Sequence, residues 1–212
     1  MDILNKVQQA INESSYPLII ELGGCDGHHT NIIGQKLRDS GKPFTFLVLE
    51  PVPHLAQIIK DKMKWLPEVQ IIQMAVGSQN GSVTFYQSDN KYYGSSSIRK
   101  PKRAYEFWQD MSFTELNCQS ITLDELSKTY GLSDRVIDFI WADVQGAEKD
   151  LIIGGMETLK HTKYFYTEFM EYEVYEGQLF DFSEICKMLP DFNVEHKFDY
   201  DILFTNKNLN NV

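Results

Sequence analysis

Cysteine is scarce in this chain of 212 residues. The three cysteines, Cys25, Cys118 and Cys186, are odd in number and far apart, so they lack the spacing of a disulfide framework or of a zinc site. The first twelve residues also lack the apolar core of a secretory signal peptide. We therefore expect free thiols in a cytoplasmic protein.

Long apolar runs and an excess of positive charge are absent as well. No stretch of about 18 apolar residues occurs, so the sequence predicts no membrane span. Twenty Lys and Arg residues stand against 30 Asp and Glu residues, which gives a net charge of −10. A net negative charge of this size repels a phosphate backbone, so we expect no nucleic acid partner. Without a repeat or a linker, residues 1–212 are expected to form one domain.

The apolar residues occur in short runs that alternate with helix-like segments. Short runs that are apolar throughout favour strands buried on both faces, as in a parallel sheet. Amphipathic helices instead carry apolar residues three and four positions apart. The predicted strands are residues 18–22, 44–49, 69–76, 136–144 and 164–170, and the predicted helices are residues 30–38, 54–65 and 123–130. This alternation predicts an α/β fold with a mostly parallel central sheet and helices on both faces.

Two segments depart from a purely parallel sheet. Asn80-Gly81 is a turn signal, and residues 81–87 are expected to form an additional hairpin strand after it. The tail has strand patterns at residues 192–198 and 200–205. We expect a C-terminal antiparallel hairpin there.

A glycine-rich loop follows the first predicted strand and reads Glu21-Leu22-Gly23-Gly24-Cys25-Asp26-Gly27. Ligands bind at the carboxyl ends of strands in open α/β sheets, where glycines let the backbone approach them. An ordinary glycine-rich turn is the alternative. The dinucleotide pattern G-x-G-x-x-G fails here, and the chain has no P-loop pattern. The loop therefore suits a cofactor without a pyrophosphate.

An acidic residue ends the second predicted strand. Glu50 is followed by Pro51, which stops the strand and leaves the carboxylate at its tip. A carboxylate in this place can accept hydrogen bonds from ribose hydroxyls, whereas the alternative is a solvated surface acid. Because this strand is expected beside the glycine loop, we interpret Glu50 as a ligand of an adenosine ribose.

Five motifs in chain order resemble those of the FkbM family of methyltransferases, and together they cover nearly the whole chain. They are ELGGCDGHHT (21–30), LEPVP (49–53), AVGSQNGSVTF (75–85), GSSSI (94–98), and ITLDEL followed by IDFIWADVQGAE (121–148). The resemblance implies a Rossmann-like class I methyltransferase fold, S-adenosylmethionine as cofactor, and O-methylation of a small molecule or glycan, often a sugar.

The resemblance also assigns roles to residues of these motifs. The chain departs from the family pattern where Cys25 replaces Asn, Trp141 replaces Lys and Gln145 replaces Glu. The last two changes concern the substrate more than the cofactor. The residues expected to bind the cofactor are Glu21, Gly23, Gly24, Cys25, Gly27, Thr30, Glu50, Pro51, Ala75, Val76 and Asp143.

Asp143 ends the fourth predicted strand, where cofactor and acceptor would meet. Its carboxylate could orient the acceptor hydroxyl, accept its proton, help to bind a hard cation, or cap the following helix. His28, or its neighbour His29, is a second candidate for the catalytic base, because an imidazole has a pKa near 6.5. Glu168, after the fifth strand, is a third. We predict no metal site.

A basic segment, Lys91 to Tyr105, interrupts the acidic chain with five cations and no acid. It suits a lid or acceptor loop whose Arg99, Lys100, Lys102 and Arg103 attract an anionic acceptor, such as a phosphorylated sugar, although a solvated basic loop explains it equally well. The residues expected to contact the acceptor are Ser96, Ser97, Arg99, Glu148 and Glu171.

Two other functions stay open at this point. An NAD-dependent oxidoreductase also has an acid at the end of its second strand, although the glycine spacing counts against it. A non-catalytic cofactor-binding module is the second, since Trp141 and Gln145 depart from the family pattern. The sequence leaves the oligomeric state open, a homodimer included.

Overall fold

The computed structural model describes residues 2–89, 93–102, 110–179 and 181–209. The strands within these ranges are β1 (Leu18–Leu22), β2 (Thr45–Leu49), β3 (Gln70–Ile72), β4 (Ala75–Val76), β5 (Gly81–Ser88), β6 (Phe113–Ile121), β7 (Ile137–Ala142), β8 (Thr162–Glu168), β9 (Phe192–Lys197) and β10 (Asp201–Asn206). The helices are α1 (Ile3–Glu13), α2 (His28–Asp39), α3 (Pro53–Lys62), α4 (Leu123–Thr129), α5 (Glu148–Gly154), α6 (Met156–Lys160) and α7 (Phe182–Met188).

Seven of these strands form the central sheet, in the order β3-β2-β1-β7-β8-β10-β9. The pairs from β3 to β8 are parallel, whereas β10 is antiparallel to both β8 and β9. The predicted parallel sheet with its C-terminal antiparallel hairpin is confirmed. Chain order reverses between β1 and β7, so the carboxyl ends of β1, β2 and β7 meet at the switch point where ligands bind in such sheets.

Alternate residues of the central strands pack on opposite faces of the sheet. Leu18, Ile20 and Leu22 join the apolar cluster that includes α4 to α7, whereas Ile19 and Phe139 join the one that includes α1 to α3. Helices therefore cover both faces, as the sequence predicts. Within the described ranges, no helix is both long and apolar enough to span a membrane.

Two predicted strands differ from the structure. The segment 69–76 is not one strand but two, β3 and β4, because the Met74 N–H donates to the Ile72 carbonyl in a tight turn and the two halves join different sheets. The strand predicted for 81–87 is present as β5, but it does not form a hairpin with the preceding strand across the Asn80-Gly81 turn. β5 pairs with β6, which is paired in parallel to β4 on its other side. The sequence did not predict β6, whose residues are mostly exposed and polar.

Candidate active site

A cleft with about 610 Å³ of free space, partly open to solvent, lies at the carboxyl ends of β1, β2 and β7. Its apolar wall consists of Leu49, Met74, Ala75, Val76, Phe85, Ile98, Val144 and Ala147. Its other lining residues are Gly23, Cys25, Glu50, Pro51, Tyr93, Gly94, Ser96, Asp143 and Gln145.

The loop after β1 is fastened to the ends of both neighbouring strands. The N–H groups of Gly23 and Gly24 donate to the Leu49 carbonyl of β2, at 2.9 and 3.0 Å. Gly23 has a φ of +89°, and a Cβ at this position would lie 2.0 Å from the backbone oxygen of Asp143. Only glycine therefore lets the loop pass so close to the end of β7.

Four of the residues expected to bind the cofactor, Glu21, Gly24, Gly27 and Thr30, are not among the residues that line the cleft. The buried Thr30 hydroxyl donates to the buried Glu21 carboxylate at 2.6 Å. Burial raises the pKa of Glu21 to about 8, although the bond from Thr30 lowers it. Gly24 and Gly27 pack against Ile59 of α3. These four residues therefore support the conformation of the loop and do not face the cleft.

Glu50 is a buried carboxylate, only 4% exposed, and not a solvated surface acid. Each of its oxygens accepts one backbone N–H at 2.8 Å, from Cys25 and from Val52. Burial raises the pKa of Glu50 to about 7, while the two N–H groups lower it. Each oxygen keeps a lone pair for a ligand hydroxyl. Glu50 thus closes the loop after β1 and still lines the cleft.

Cys25 occupies a strained position in that loop. Its φ of 52° lies in the left-handed region, which non-glycine residues seldom adopt. Burial, followed by the repulsion of the nearby Glu50 carboxylate, raises the pKa of its thiol to about 12. The thiol therefore stays protonated at neutral pH. The predicted cofactor residues that do line the cleft are Gly23, Cys25, Glu50, Pro51, Ala75, Val76 and Asp143.

At the other end of the cleft, Gln145 brings two predicted catalytic carboxylates together. Its Nε2 donates to Asp143 Oδ1 at 2.6 Å and to Glu168 Oε2 at 3.0 Å. Asp143 is exposed to the cleft, but desolvation by the surrounding protein raises its pKa. Burial raises the pKa of Glu168 as well, and the charge of Asp143 raises it further. Asp143 does not cap α5, because Ala147 is the N-cap residue.

The structure keeps His28, the remaining candidate base, apart from this pair. His28 begins α2, is exposed, and is not among the residues that line the cleft. Its ring contacts that of His29, with 5.2 Å between ring centroids. Desolvation lowers the pKa of His29, so that imidazole is neutral at pH 7. In the described part of the chain, no group of three or more His, Cys, Asp or Glu residues is arranged to hold a metal ion.

The two serines expected to contact the acceptor have different positions. Ser96 lines the cleft, and its hydroxyl accepts the Ser88 N–H at 3.1 Å. Ser97 is buried, and its hydroxyl accepts the Arg99 N–H at 2.9 Å. Only Ser96 is therefore placed to meet a ligand in the cleft.

The two predicted acidic contacts lie outside the lining of the cleft. Glu148 is buried where its carboxylate accepts the Gly146 N–H at 3.2 Å, and burial raises its pKa. Glu171 is exposed and forms an ion pair with Lys197. Glu148 thus adds negative charge behind the cleft, whereas Glu171 is a surface residue.

The described cations of the basic segment are paired with acids and do not line the cleft. Arg99 also donates to the backbone carbonyl of Glu176 at 3.0 Å. Arg103 lies outside the described residues. The ion pairs are Arg99–Asp150 at 2.7 Å, Lys100–Glu176 at 3.9 Å, and Lys102–Glu173.

Tyr175 is a member of the site that the sequence did not reveal. Its hydroxyl donates to the Ser95 carbonyl at 2.8 Å and lies 3.3 Å from Gln145 Oε1. These partners are 80 and 30 positions away in the chain, so no local pattern marks the residue.

Solved structures resemble this fold at low sequence identity. Methyltransferase FkbM from Methylobacillus flagellatus KT matches with a TM-score of 0.53 and 13% identity over 90% of this chain, which spans 44% of that protein, less than half its length. The O-methyltransferase from Bacillus cereus in complex with SAH matches with a TM-score of 0.50 and 12% identity, over 97% of this chain and 82% of that one. These likenesses confirm the class I methyltransferase fold.

Sequence comparison goes further than the fold. The 2-O-methyltransferase NoeI of Sinorhizobium fredii (strain NBRC 101917 / NGR234) is 35% identical over an alignment of 207 residues, which covers 93% of this chain and 82% of that protein. The profile described as the methyltransferase FkbM domain matches residues 21–202, from the glycine loop at the end of β1 to β10. With its glycine loop and its strand-end carboxylates inside that range, this chain belongs to the FkbM family of methyltransferases.

Proposed function

We propose that this protein transfers the methyl group of S-adenosylmethionine to a hydroxyl oxygen of a sugar or glycan. The observation that carries the proposal is that the buried Glu50 carboxylate and the Asp143 carboxylate line the same cleft, at the end of the sheet where the glycine loop lies. The name of the relative NoeI, a 2-O-methyltransferase, supports transfer to oxygen. The SAH complex of the Bacillus cereus enzyme supports the cofactor.

The residues of the cleft fit an adenosyl sulfonium. Leu49, Met74 and Val76 offer apolar surface to a flat base, and Glu50 offers acceptor oxygens to ribose hydroxyls. The carboxylate of Asp143 complements a positively charged ligand. No Lys or Arg of the described ranges lines the cleft, so a cationic cofactor meets no repulsion from one.

S-adenosylmethionine supplies an activated methyl group when it is bound, so the protein mainly has to position the acceptor and take up a proton. The acceptor oxygen forms its bond to the methyl carbon while the acceptor O–H bond breaks. We assign the uptake of that proton to Asp143 or Glu168, because a raised pKa makes a carboxylate a stronger base. Glu168 is not among the residues that line the cleft, but Gln145 joins it to Asp143, which lines the cleft. His28 is the weaker candidate, because it is exposed and outside the lining of the cleft.

The charge distribution favours an uncharged acceptor. Arg99, Lys100 and Lys102 are already within 4 Å of acids, and the cleft itself carries the carboxylates of Glu50 and Asp143. A phosphorylated sugar would be repelled by these groups. A neutral glycan with free hydroxyls meets no such penalty.

Calorimetry with S-adenosylmethionine, S-adenosylhomocysteine and NAD tests the cofactor. We expect the first two to bind and NAD to give no heat; binding of NAD alone would favour an oxidoreductase instead. Transfer of a labelled methyl group to a library of neutral and phosphorylated glycans tests the reaction. Tight cofactor binding with no transfer to any acceptor would favour a non-catalytic binding module.

A further inference from the structure

One amide separates two carboxylates beside the cleft. Gln145 Nε2 is 2.6 Å from Asp143 Oδ1 and 3.0 Å from Glu168 Oε2, so these oxygens are no more than about 5.6 Å apart. Two carboxylates at such a distance repel each other, and one of them normally keeps its proton. A donor between them offsets that repulsion.

The chemistry of the groups decides which end of the amide faces the carboxylates. An ionised carboxylate only accepts hydrogen bonds, whereas an amide nitrogen has two N–H groups to donate. Gln145 therefore gives one N–H to each carboxylate, and its oxygen faces the Tyr175 hydroxyl at 3.3 Å. A leucine here would remove both donors, and a glutamate would add a third negative charge.

The position of Gln145 is enforced by its neighbours. Gln145 has a φ of 51°, a conformation that costs about 1 kcal/mol or more for a residue with a side chain. Gly146 follows with a φ of +87°, and a Cβ there would lie 2.6 Å from the ring of Tyr175. The Tyr175 ring is 2% exposed, and its hydroxyl is tied to the Ser95 carbonyl at 2.8 Å. Ring packing and hydrogen bonds thus hold the strained turn.

We propose that Gln145 and Tyr175 are positioning residues that hold Asp143 and Glu168 as an ionised pair, ready to take the proton of the acceptor hydroxyl. This rests on the methyl-transfer function proposed above. The acceptor O–H bond breaks, its electron pair forms the carbon–oxygen bond, and its proton goes to one carboxylate of the pair. Because Tyr175 also binds the backbone of Ser95, the same ring links this pair to the segment 93–98 beside the cleft.

Other acidic groups surround Asp143 and Glu168, so the two hydrogen bonds from Gln145 are needed to keep the pKa values of these carboxyl groups from rising further. Hydrogen bonds from Gln145 lower the pKa of both carboxyl groups, whereas burial and nearby acids raise it. The other titratable or charged groups that act on the pair or on its closest neighbours are Glu21, Glu50, Glu148, Tyr166, Tyr175, Asp201 and the Arg99 guanidinium. Arg99 is the only cation in this set, and it is already paired with Asp150.

A titration of the carboxyl groups tests whether the Gln145 amide lowers the pKa values of Asp143 and Glu168, and it needs no acceptor. In protein labelled with carbon-13 at the Asp and Glu carboxyl groups, we expect Gln145→Leu to raise the NMR titration midpoints of Asp143 and Glu168 by roughly one pH unit. Gln145→Glu should raise them further, and Tyr175→Phe less. The control is Gln35→Leu, which removes an amide–carboxylate bond of 2.7 Å to Asp39 on the exposed surface of α2 and should leave both midpoints unchanged.

The pH profile of turnover tests the consequence for catalysis. With labelled S-adenosylmethionine and a set of neutral methyl glycosides, the acidic limb of kcat/KM should shift upward in Gln145→Leu by the same amount, while S-adenosylhomocysteine affinity stays near that of the wild type. If the wild type does not bind S-adenosylhomocysteine, the proposed methyl-transfer function is wrong. The carboxyl titration still tests whether Gln145 holds Asp143 and Glu168 in their ionised forms. Unchanged midpoints with only a lower Tm would overturn the proposal.

Discussion

The two ends of the cleft are held in different ways. At the β1–β2 end, backbone groups hold the polar side chain, because Glu50 accepts two backbone N–H bonds. At the β7–β8 end, side chains hold side chains, because Gln145 bridges Asp143 and Glu168. Backbone donors come with the fold, whereas a side-chain bridge depends on residue identity. We therefore expect substitutions at the first end to change affinity or stability, and those at the second to change rate.

The largest effect is expected at the β7–β8 end. Asp143→Asn should lower the single-turnover rate by about 10² to 10⁴-fold, the usual contribution of a catalytic base, with a much smaller change in cofactor Kd. Glu168→Gln is the matched variant, and the larger loss identifies the residue that takes the proton. Wild-type rates in both variants would show that neither carboxylate takes the proton. The expectation that substitutions at the β7–β8 end change the rate would then be wrong.

The next effect concerns stability at the β1–β2 end. Gly23→Ala should lower the free energy of unfolding by roughly 3 kcal/mol, because its Cβ would meet the backbone of Asp143 at 2.0 Å in addition to the cost of a positive φ. Gly41→Ala is the control, since Gly41 also has a positive φ, +66°, but open space around it. Urea unfolding measures both, and equal losses would mean that the close approach to β7 contributes nothing.

A third effect concerns cofactor affinity. Glu50→Ala should raise the Kd of S-adenosylhomocysteine about 10 to 100-fold, because the ribose hydroxyls and two backbone N–H groups lose a charged acceptor. Calorimetry measures the change. The exposed Glu68 provides a control, and Glu68→Ala should leave the Kd unchanged. A Kd within twofold of the wild type in Glu50→Ala would remove Glu50 from the binding site.

The smallest effect is a change in pH dependence. The pKa of Glu21 is about 8 in the folded protein, above its ordinary value of 4.5, so the unfolded chain releases this proton first as the pH rises. Its contribution to the free energy of unfolding therefore falls between about pH 4.5 and pH 8. Glu21→Gln should make the decline from pH 5 to pH 8 shallower, because glutamine has no proton to release in either state.

Urea unfolding at pH 5 and pH 8 measures this difference, with the exposed Glu68→Gln as control. The same decline in wild type and Glu21→Gln would show that Glu21 is ionised in the folded state. The buried acid beneath the glycine loop would then contribute to the fold in the same way as a surface acid.

Much of the site followed from residue order alone. Short apolar runs predict buried parallel strands, and the carboxyl ends of such strands meet at one edge of the sheet. Glu50 and Asp143 each follow a strand directly, so their presence at the cleft needed no knowledge of side-chain contacts. The glycine loop could also be predicted from the sequence, because its backbone geometry depends on residue type.

Other features depend on partners far away in the chain. The polar residues of β6 are a weak local signal, and this strand gains its place by pairing with β5. The basic segment was expected to be either an acceptor loop or a solvated basic loop, and in the structure Arg99 pairs with Asp150, 51 positions later. A sequence pattern shows that a charge is present but not which opposite charge lies next to it.

Residue order was thus enough for the layered sheet, the glycine loop and the strand-end carboxylates, since each of these follows from local backbone preference and burial. Tertiary structure decided which acids become neighbours, how Gln145 and Tyr175 link them, and which cations are already paired. The physical reason is that hydrogen bonds and ion pairs act over a few ångströms in space, whereas their partners can be far apart in the chain: 23 positions for Gln145 and Glu168, and 51 for Arg99 and Asp150.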